Sequence, residues 1–185
     1  MRQGFTLVEA LVTIGIMMVM AGVLLAYNRS SEGQLAFTVS QAKLVGALTR
    51  AKSFALQKYA GGLATSDACA FGVHLDTTAV PIKAIIFQDL PRAGEGCVDD
   101  SGIPTFSRKY DGSGETVETV TFDGRVVINP PVTPGDGDVV FEAPYLKMYL
   151  DNAPSMTARF TARLVNGGVA QDFVTVGPGG DITAQ

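Results

Sequence analysis

Gly4-Phe5-Thr6-Leu7-Val8-Glu9, preceded by Met1-Arg2-Gln3, opens the chain, and no charged residue follows from Ala10 to Tyr27. A helix crossing a bilayer core needs about 20 mostly apolar residues. Phe5 to Tyr27 supplies that length if Glu9 is tolerated. The run is apolar all round, which suits lipid or a packed helix bundle rather than an amphipathic surface helix. Arg2 ahead of it is consistent with an amino terminus left in the cytoplasm, although Arg29 on the far side weakens that signal. A carboxylate in a spanning helix costs roughly 3 kcal/mol and is by default a functional feature. The run holds no partner for it. A cut between Gly4 and Phe5 would create an α-amine four residues before Glu9, on the same helix face. Two helices staggered by about one turn would pair the same groups, and an acid that snorkels to the headgroups needs no partner at all.

The order of residues is specific. A short leader ends in Gly4, Phe5 follows, an acid stands at the fifth position after the glycine, and an uninterrupted apolar segment comes next. This arrangement resembles the prepilin signature shared by type IV pilins and type II secretion pseudopilins. The resemblance implies cleavage after Gly4 by a prepilin peptidase, N-methylation of Phe5, and neutralisation by Glu9 of a neighbouring subunit's amino terminus during assembly. A cleaved secretory signal fits less well. Its apolar region is shorter, it carries no acid at the start, and it ends in a small-residue cleavage site.

After Tyr27 the stretch Asn28-Arg29-Ser30-Ser31-Glu32-Gly33 is a polar interruption that could loosen or bend the helix. Leu44, Leu48, Ala51, Ala55 and Tyr59 then recur at steps of three and four, one face of a helix. Lys43, Arg50, Lys52, Gln57 and Lys58 fall on the polar remainder. Gly61-Gly62 is a stop signal. One helix from Phe5 to about Tyr59, roughly 80 Å long, is expected. Gly15, Ala21 and Gly22 are small enough for close helix packing, but their spacing is not that of a GxxxG pair.

From Cys69 the pattern changes to short runs broken by Gly, Pro and Asp. Strands are expected at Ala70–Leu75, Ile82–Gln88, Thr116–Phe122, Arg125–Asn129, Asp138–Glu142, Tyr145–Leu150, Met156–Val165 and Asp172–Val176. The clearest is Met156–Val165, where Met156, Ala158, Phe160, Ala162 and Leu164 alternate with Thr157, Arg159, Thr161 and Arg163. Asp123-Gly124 reads as a hairpin turn, and Asn166-Gly167-Gly168 as a second turn. Pro91 to Pro104 and Pro130 to Gly137 read as irregular loops. The expected fold class is therefore α+β, a long amino-terminal helix packed on an antiparallel β-rich head, as the pilin resemblance also implies. The expected divisions are a leader at 1–4, a helix at 5–60 with its membrane part at 5–27, and a head at 61–185. Leu48-Thr49-Arg50-Ala51-Lys52-Ser53-Phe54-Ala55-Leu56 further resembles the late helix of H-type minor pseudopilins, which points to a minor subunit.

The formal charge of −4 makes the chain a poor sequence-independent nucleic-acid binder. Arg159 and Arg163, with Lys147, could line a basic strip, but arginines on a strand's outer face are usually just solvated. Cys69 and Cys97 are the two cysteines. An even count in an exported domain favours one disulfide, and neither has the spacing of a redox or zinc motif. His74, the single histidine, lies in an expected strand and is read as structural. Gly177-Pro178-Gly179-Gly180 lacks the Lys-Ser/Thr of a phosphate loop. Asp99-Asp100 and Asp136-Gly137-Asp138 do not fit an EF-hand, though some pseudopilins bind calcium. They are read as solvated loop acids. No catalytic residue, metal or cofactor is expected. The expected partners are a prepilin peptidase, other pilin or pseudopilin subunits and, before assembly, membrane lipid. The expected location is the cytoplasmic membrane with the head outside the cytoplasm, then a filament.

Overall fold

The structure is a computed structural model that describes residues 6–59, 68–98, 101–131, 137–143, 145–154, 157–165 and 171–184. The chain forms two compact units, Met1–Ala36 and Phe37–Gln185. Helix α1, Leu7–Tyr59, runs through both, and the polar stretch at 28–33 does not interrupt it. Gly61-Gly62, Asn166-Gly167-Gly168, Met156, Asp99-Asp100 and Asp136 lie outside the described residues.

In the second unit the helix presents the expected apolar face. Leu44, Leu48, Ala51 and Ala55 are buried, and Ala47 joins them. Each buried leucine contributes about 2 kcal/mol of hydrophobic stabilisation. Phe54 packs on Phe71, with ring centroids 5.8 Å apart, and Phe37 meets Phe173 edge-on at 4.8 Å. The polar side of the helix does more than meet water. Lys43 Nζ donates to the Thr121 carbonyl at 2.8 Å, Lys52 Nζ to the Gly180 carbonyl at 2.8 Å, and Gln41 Nε2 to the Phe173 carbonyl at 2.6 Å. Arg50 pairs with Glu118, both substantially exposed. A surface pair of this kind is worth about 0–1 kcal/mol. Glu118→Gln is therefore expected to move the urea midpoint by an amount equivalent to less than about 1 kcal/mol. A larger loss would mean that the pair positions the helix.

The strands form two antiparallel sheets. Sheet 1 has the order β3-β2-β1-β5-β6-β7 and sheet 2 the order β10-β9-β8-β4. Here β1 is Ala70–Asp76, β2 Lys83–Asp89, β3 Thr116–Thr121, β4 Val126–Asn129, β5 Val139–Glu142, β6 Lys147–Leu150, β7 Ala153–Pro154, β8 Ala158–Leu164, β9 Gln171–Val176 and β10 Ile182–Ala184. Every expected strand exists within two residues or so at each end. In β8 Ala158, Phe160 and Ala162 are buried and Arg159 and Arg163 exposed, as the alternation requires. Lys147 lies in sheet 1 and the two arginines in sheet 2, so they form no common strand surface.

Two expectations are corrected. Asp123-Gly124 is not a hairpin turn. It is a corner at which the chain leaves sheet 1 after β3 and enters sheet 2 at β4, beside β8. The corner is held by Asp123, whose carboxylate accepts from the Arg125 amide, Nε and Nη2 at 2.9–3.0 Å. These bonds hold the Asp123 carboxyl down at about 2. Asp138 is not a solvated loop acid but is 1% exposed. Its Oδ1 meets His74 Nδ1 at 2.6 Å, and its Oδ2 accepts from the Tyr110 amide at 2.8 Å.

The inner strands of sheet 1 are covered on both faces, which explains why β1 and β2 read as near-continuous apolar runs. Alternation places Phe71, Val73 and Leu75 on one face and Ala70, Gly72 and His74 on the other. The second face carries a cluster of Ala70, Phe87, Val140 and Tyr149, capped by Phe106 and Tyr110 from the long connection between β2 and β3. A short 3₁₀ turn, Ser113–Glu115, ends that connection.

Candidate functional site

Thr6 precedes the first helical residue and Glu9 stands three positions later. The Thr6 hydroxyl accepts from the Glu9 amide at 3.3 Å, while Glu9 Oε2 reaches back to the Thr6 amide at 3.4 Å and to its hydroxyl at 3.3 Å. This reciprocal arrangement is a capping box, which satisfies amides that a helix start leaves without intrahelical partners. The signal, Thr6-x-x-Glu9, was legible in the sequence and gives the acid a local task besides any intermolecular one.

Beyond the cap, Leu7–Leu24 has the length and composition of a membrane span, with a mean hydropathy of 2.3 and none of it buried. Leu7, Leu11, Met17, Val19 and Met20, which point in different directions around the helix, all lie more than half exposed. Such a surface is stable only against lipid or other apolar helices. The segment's internal polar group is self-satisfied, because the Thr13 hydroxyl donates to the Ala10 carbonyl at 2.9 Å. An ideal Cβ at Gly15 or Gly22 meets nothing within 4 Å, so both glycines leave flat, open ground for a neighbouring helix. Gly4 and Phe5 lie outside the described residues.

In the second unit Cys69 and Cys97 form a disulfide with Cα atoms 5.3 Å apart, as the cysteine count anticipated. It joins the residue before β1 to the β2–β3 connection. Lys58 Nζ lies 3.8 Å from Cys97 Sγ. The connection is further clamped by Arg108, which bonds Glu142 Oε2 at 3.0–3.2 Å and Asn152 at 3.0 Å and lies over the Tyr149 and Phe106 rings. Arg108 adopts φ +56°, a costly conformation for a side chain with a Cβ that these contacts hold in place.

Beneath the connection lie Asp89, Glu115 and Asp138, all buried. A cavity of about 390 Å³ opens beside Glu115, which lines it together with Arg92, Phe106 and Asp111. Burial, and next the charge of Glu115, pushes the Asp89 carboxyl up to about 7. Burial also raises Glu115, against the Asp111 and Leu90 amides that stabilise its ionised form. His74 is held by Asp138 and stacked on Tyr110 with centroids 5.0 Å apart, a structural setting. Among the described residues, no three His, Cys, Asp or Glu side chains are grouped to hold a metal.

Residues 1–25 match the family model described as the prokaryotic N-terminal methylation motif. That motif is the prepilin-type signature of type IV pilins and pseudopilins, a class of structural proteins processed by prepilin peptidase. Comparison with curated proteins and with solved structures gives no match.

Proposed function

We propose that this chain is a structural subunit, of the minor pilin or pseudopilin kind, of a type IV pilus or type II secretion-like filament. The precursor sits in the cytoplasmic membrane with its head outside the cytoplasm. It is cut after Gly4 and N-methylated at Phe5. Assembly then draws the apolar helix from lipid into a bundle of like helices, where its surface stays buried throughout. Glu9 meets the α-amine of a neighbouring subunit. The work of the head is binding and mechanical rather than catalytic. The observation that carries this reading is the prepilin-type motif joined to an apolar helix exposed on all sides.

The test is intact-mass and amino-terminal analysis after co-expression with an active prepilin peptidase. The product should begin at N-methylated Phe5, and Gly4→Ala should abolish it. A chain that still begins at Met1 would leave a single-pass anchor carrying an exported domain. Glu9→Gln separates the two tasks of the acid, because glutamine also serves in a capping box. The variant should insert and be cut as the wild type is, yet enter sheared filaments at least tenfold less. Normal incorporation would reduce Glu9 to its cap.

A further inference from the structure

The connection from Leu90 to Glu115 is tied to sheet 1 by Asp89 and Asp138, which accept its backbone amides, and is braced within itself by Glu115. Asp89 Oδ1 accepts from Ser107 at 3.3 Å. Glu115 Oε1 accepts from Leu90 at 3.3 Å and Oε2 from Asp111 at 2.7 Å. Asp138 accepts from Tyr110. Asp89 is 0% exposed, and its Oδ2 has no hydrogen-bond partner among the described residues. An ionised oxygen left so is strongly disfavoured. Asp89 also feels the negative charges of Glu115 and Asp111, against the Arg108 and Ser107 amides that favour its ionised form. Two acids that interact in a shielded place do not both ionise cheaply, and one proton relieves them.

We infer that the described parts of this connection, residues 90–98 and 101–115, form a proton-operated cover, closed firmly on sheet 1 when the Asp89–Glu115 pair holds a proton and loosened when both acids are ionised. Other charged groups face the pair: Asp111 and Asp138 add negative charge to it, and Arg92 lines the same cavity as Glu115. From β1, His74 is bound to Asp138 at the start of β5. On the segment itself, Arg108 is committed to Glu142 of β5 and to Asn152, while Arg92 and Asp111 line the cavity beside Glu115 and Lys109 follows Arg108. From α1, Lys58 reaches Cys97.

The direction follows from linkage. An acid whose folded value is raised binds more protons in the closed state than in the open one, so closure weakens as pH rises. With Asp89 moved from an ordinary 3.8 to about 7, the closed state is strongest below about pH 4 and its advantage is lost progressively up to about pH 7. Glu115, raised as well, works in the same direction. The cover would behave alike whether or not the chain polymerises, so its failure and the failure of the filament reading are separate results.

The test is native-state hydrogen exchange on the full chain in detergent, at pH 5.5 and 8.5, corrected for the intrinsic rate. Protection of the Ser107 and Tyr110 amides should fall at least tenfold at the higher pH, the equivalent of one pKa unit. The Phe160 amide in β8 should not follow. In Asp89→Asn the response of the segment's protection to pH should shrink severalfold, and Glu115→Gln, whose single carbonyl oxygen can accept from only one of the Leu90 and Asp111 amides, should also reduce it. Equal protection at both pH values in the wild type would overturn the proposal. So would a fall that persists undiminished in both variants, because groups other than Asp89 and Glu115 would then govern the segment.

Discussion

Gly72→Ala is expected to destabilise the second unit by on the order of 3 kcal/mol, although it adds a single methyl group. Gly72 lies in the middle of β1, paired with Phe87 of β2 on one side and Val140 of β5 on the other. A Cβ built there would sit 2.6 Å from Phe87 Cζ and 2.7 Å from the Val139 carbonyl oxygen. Neither neighbour yields easily. Phe87 is fully buried and packs on Tyr110 with centroids 5.6 Å apart, and the carbonyl belongs to a central strand. The glycine is therefore the floor on which the Phe87 ring lies, and the cover rests on that ring through Tyr110. Gly46→Ala is the control, because a Cβ there meets nothing within 4 Å and the residue lies within α1. It should stabilise by roughly 0.5–1 kcal/mol through helix propensity. The same chemical change is thus expected to have opposite signs at two positions. Thermal unfolding of the detergent-solubilised chain checks it, with Gly72→Ala lowering the midpoint by on the order of 10 °C. A Gly72→Ala chain as stable as the wild type would mean that β1 and β5 separate readily.

Much of the fold was legible because its signals are local. Periodicity found the buried face of the helix at Leu44, Leu48, Ala51 and Ala55 and the alternation of β8. The missed strands, β7 at Ala153–Pro154 and β10 at Ile182–Ala184, are too short to show a period. Other errors were of a different kind. Asp123-Gly124 has hairpin chemistry, yet which sheet the next strand joins depends on β8, far along the chain. Asp138 looks like a loop acid until β5 sets it against His74 and the Tyr110 amide. From Pro91 to Pro104 the β2–β3 connection has the composition of an irregular loop. What gives it a role is the apolar face of sheet 1, supplied by residues that no local pattern assigns to it. At the amino terminus the situation is reversed. The motif carries most of the reading, and the capping box at Thr6 and Glu9 lies in the same residues.

Removing the Cys69–Cys97 disulfide is expected to cost about 3–4 kcal/mol. The cysteines are 28 residues apart, and cross-linking a loop of that length restricts the unfolded chain by about this amount in the chain-entropy account. The folded side of the balance should change less, because other bonds hold both ends of the bridge. The Cys69 amide donates to the Asp89 carbonyl at 2.7 Å, continuing the β1–β2 pairing, and the Thr105 amide donates to the Cys97 carbonyl at 3.2 Å. Beyond these, Val98 bridges to Pro104 and Arg108 clamps the far part of the cover to β5 and β6. The Cys69→Ser/Cys97→Ser chain should therefore keep the same native circular dichroism while its urea midpoint falls. The fall should match that of the wild type measured in dithiothreitol, since both lack the same cross-link. A double variant within 1 kcal/mol of the oxidised wild type would show that the unfolded chain is already confined between residues 69 and 97. A variant that loses its native spectrum would instead mean that the bridge holds the cover in place, and that Arg108 and the three buried carboxylates cannot close it alone.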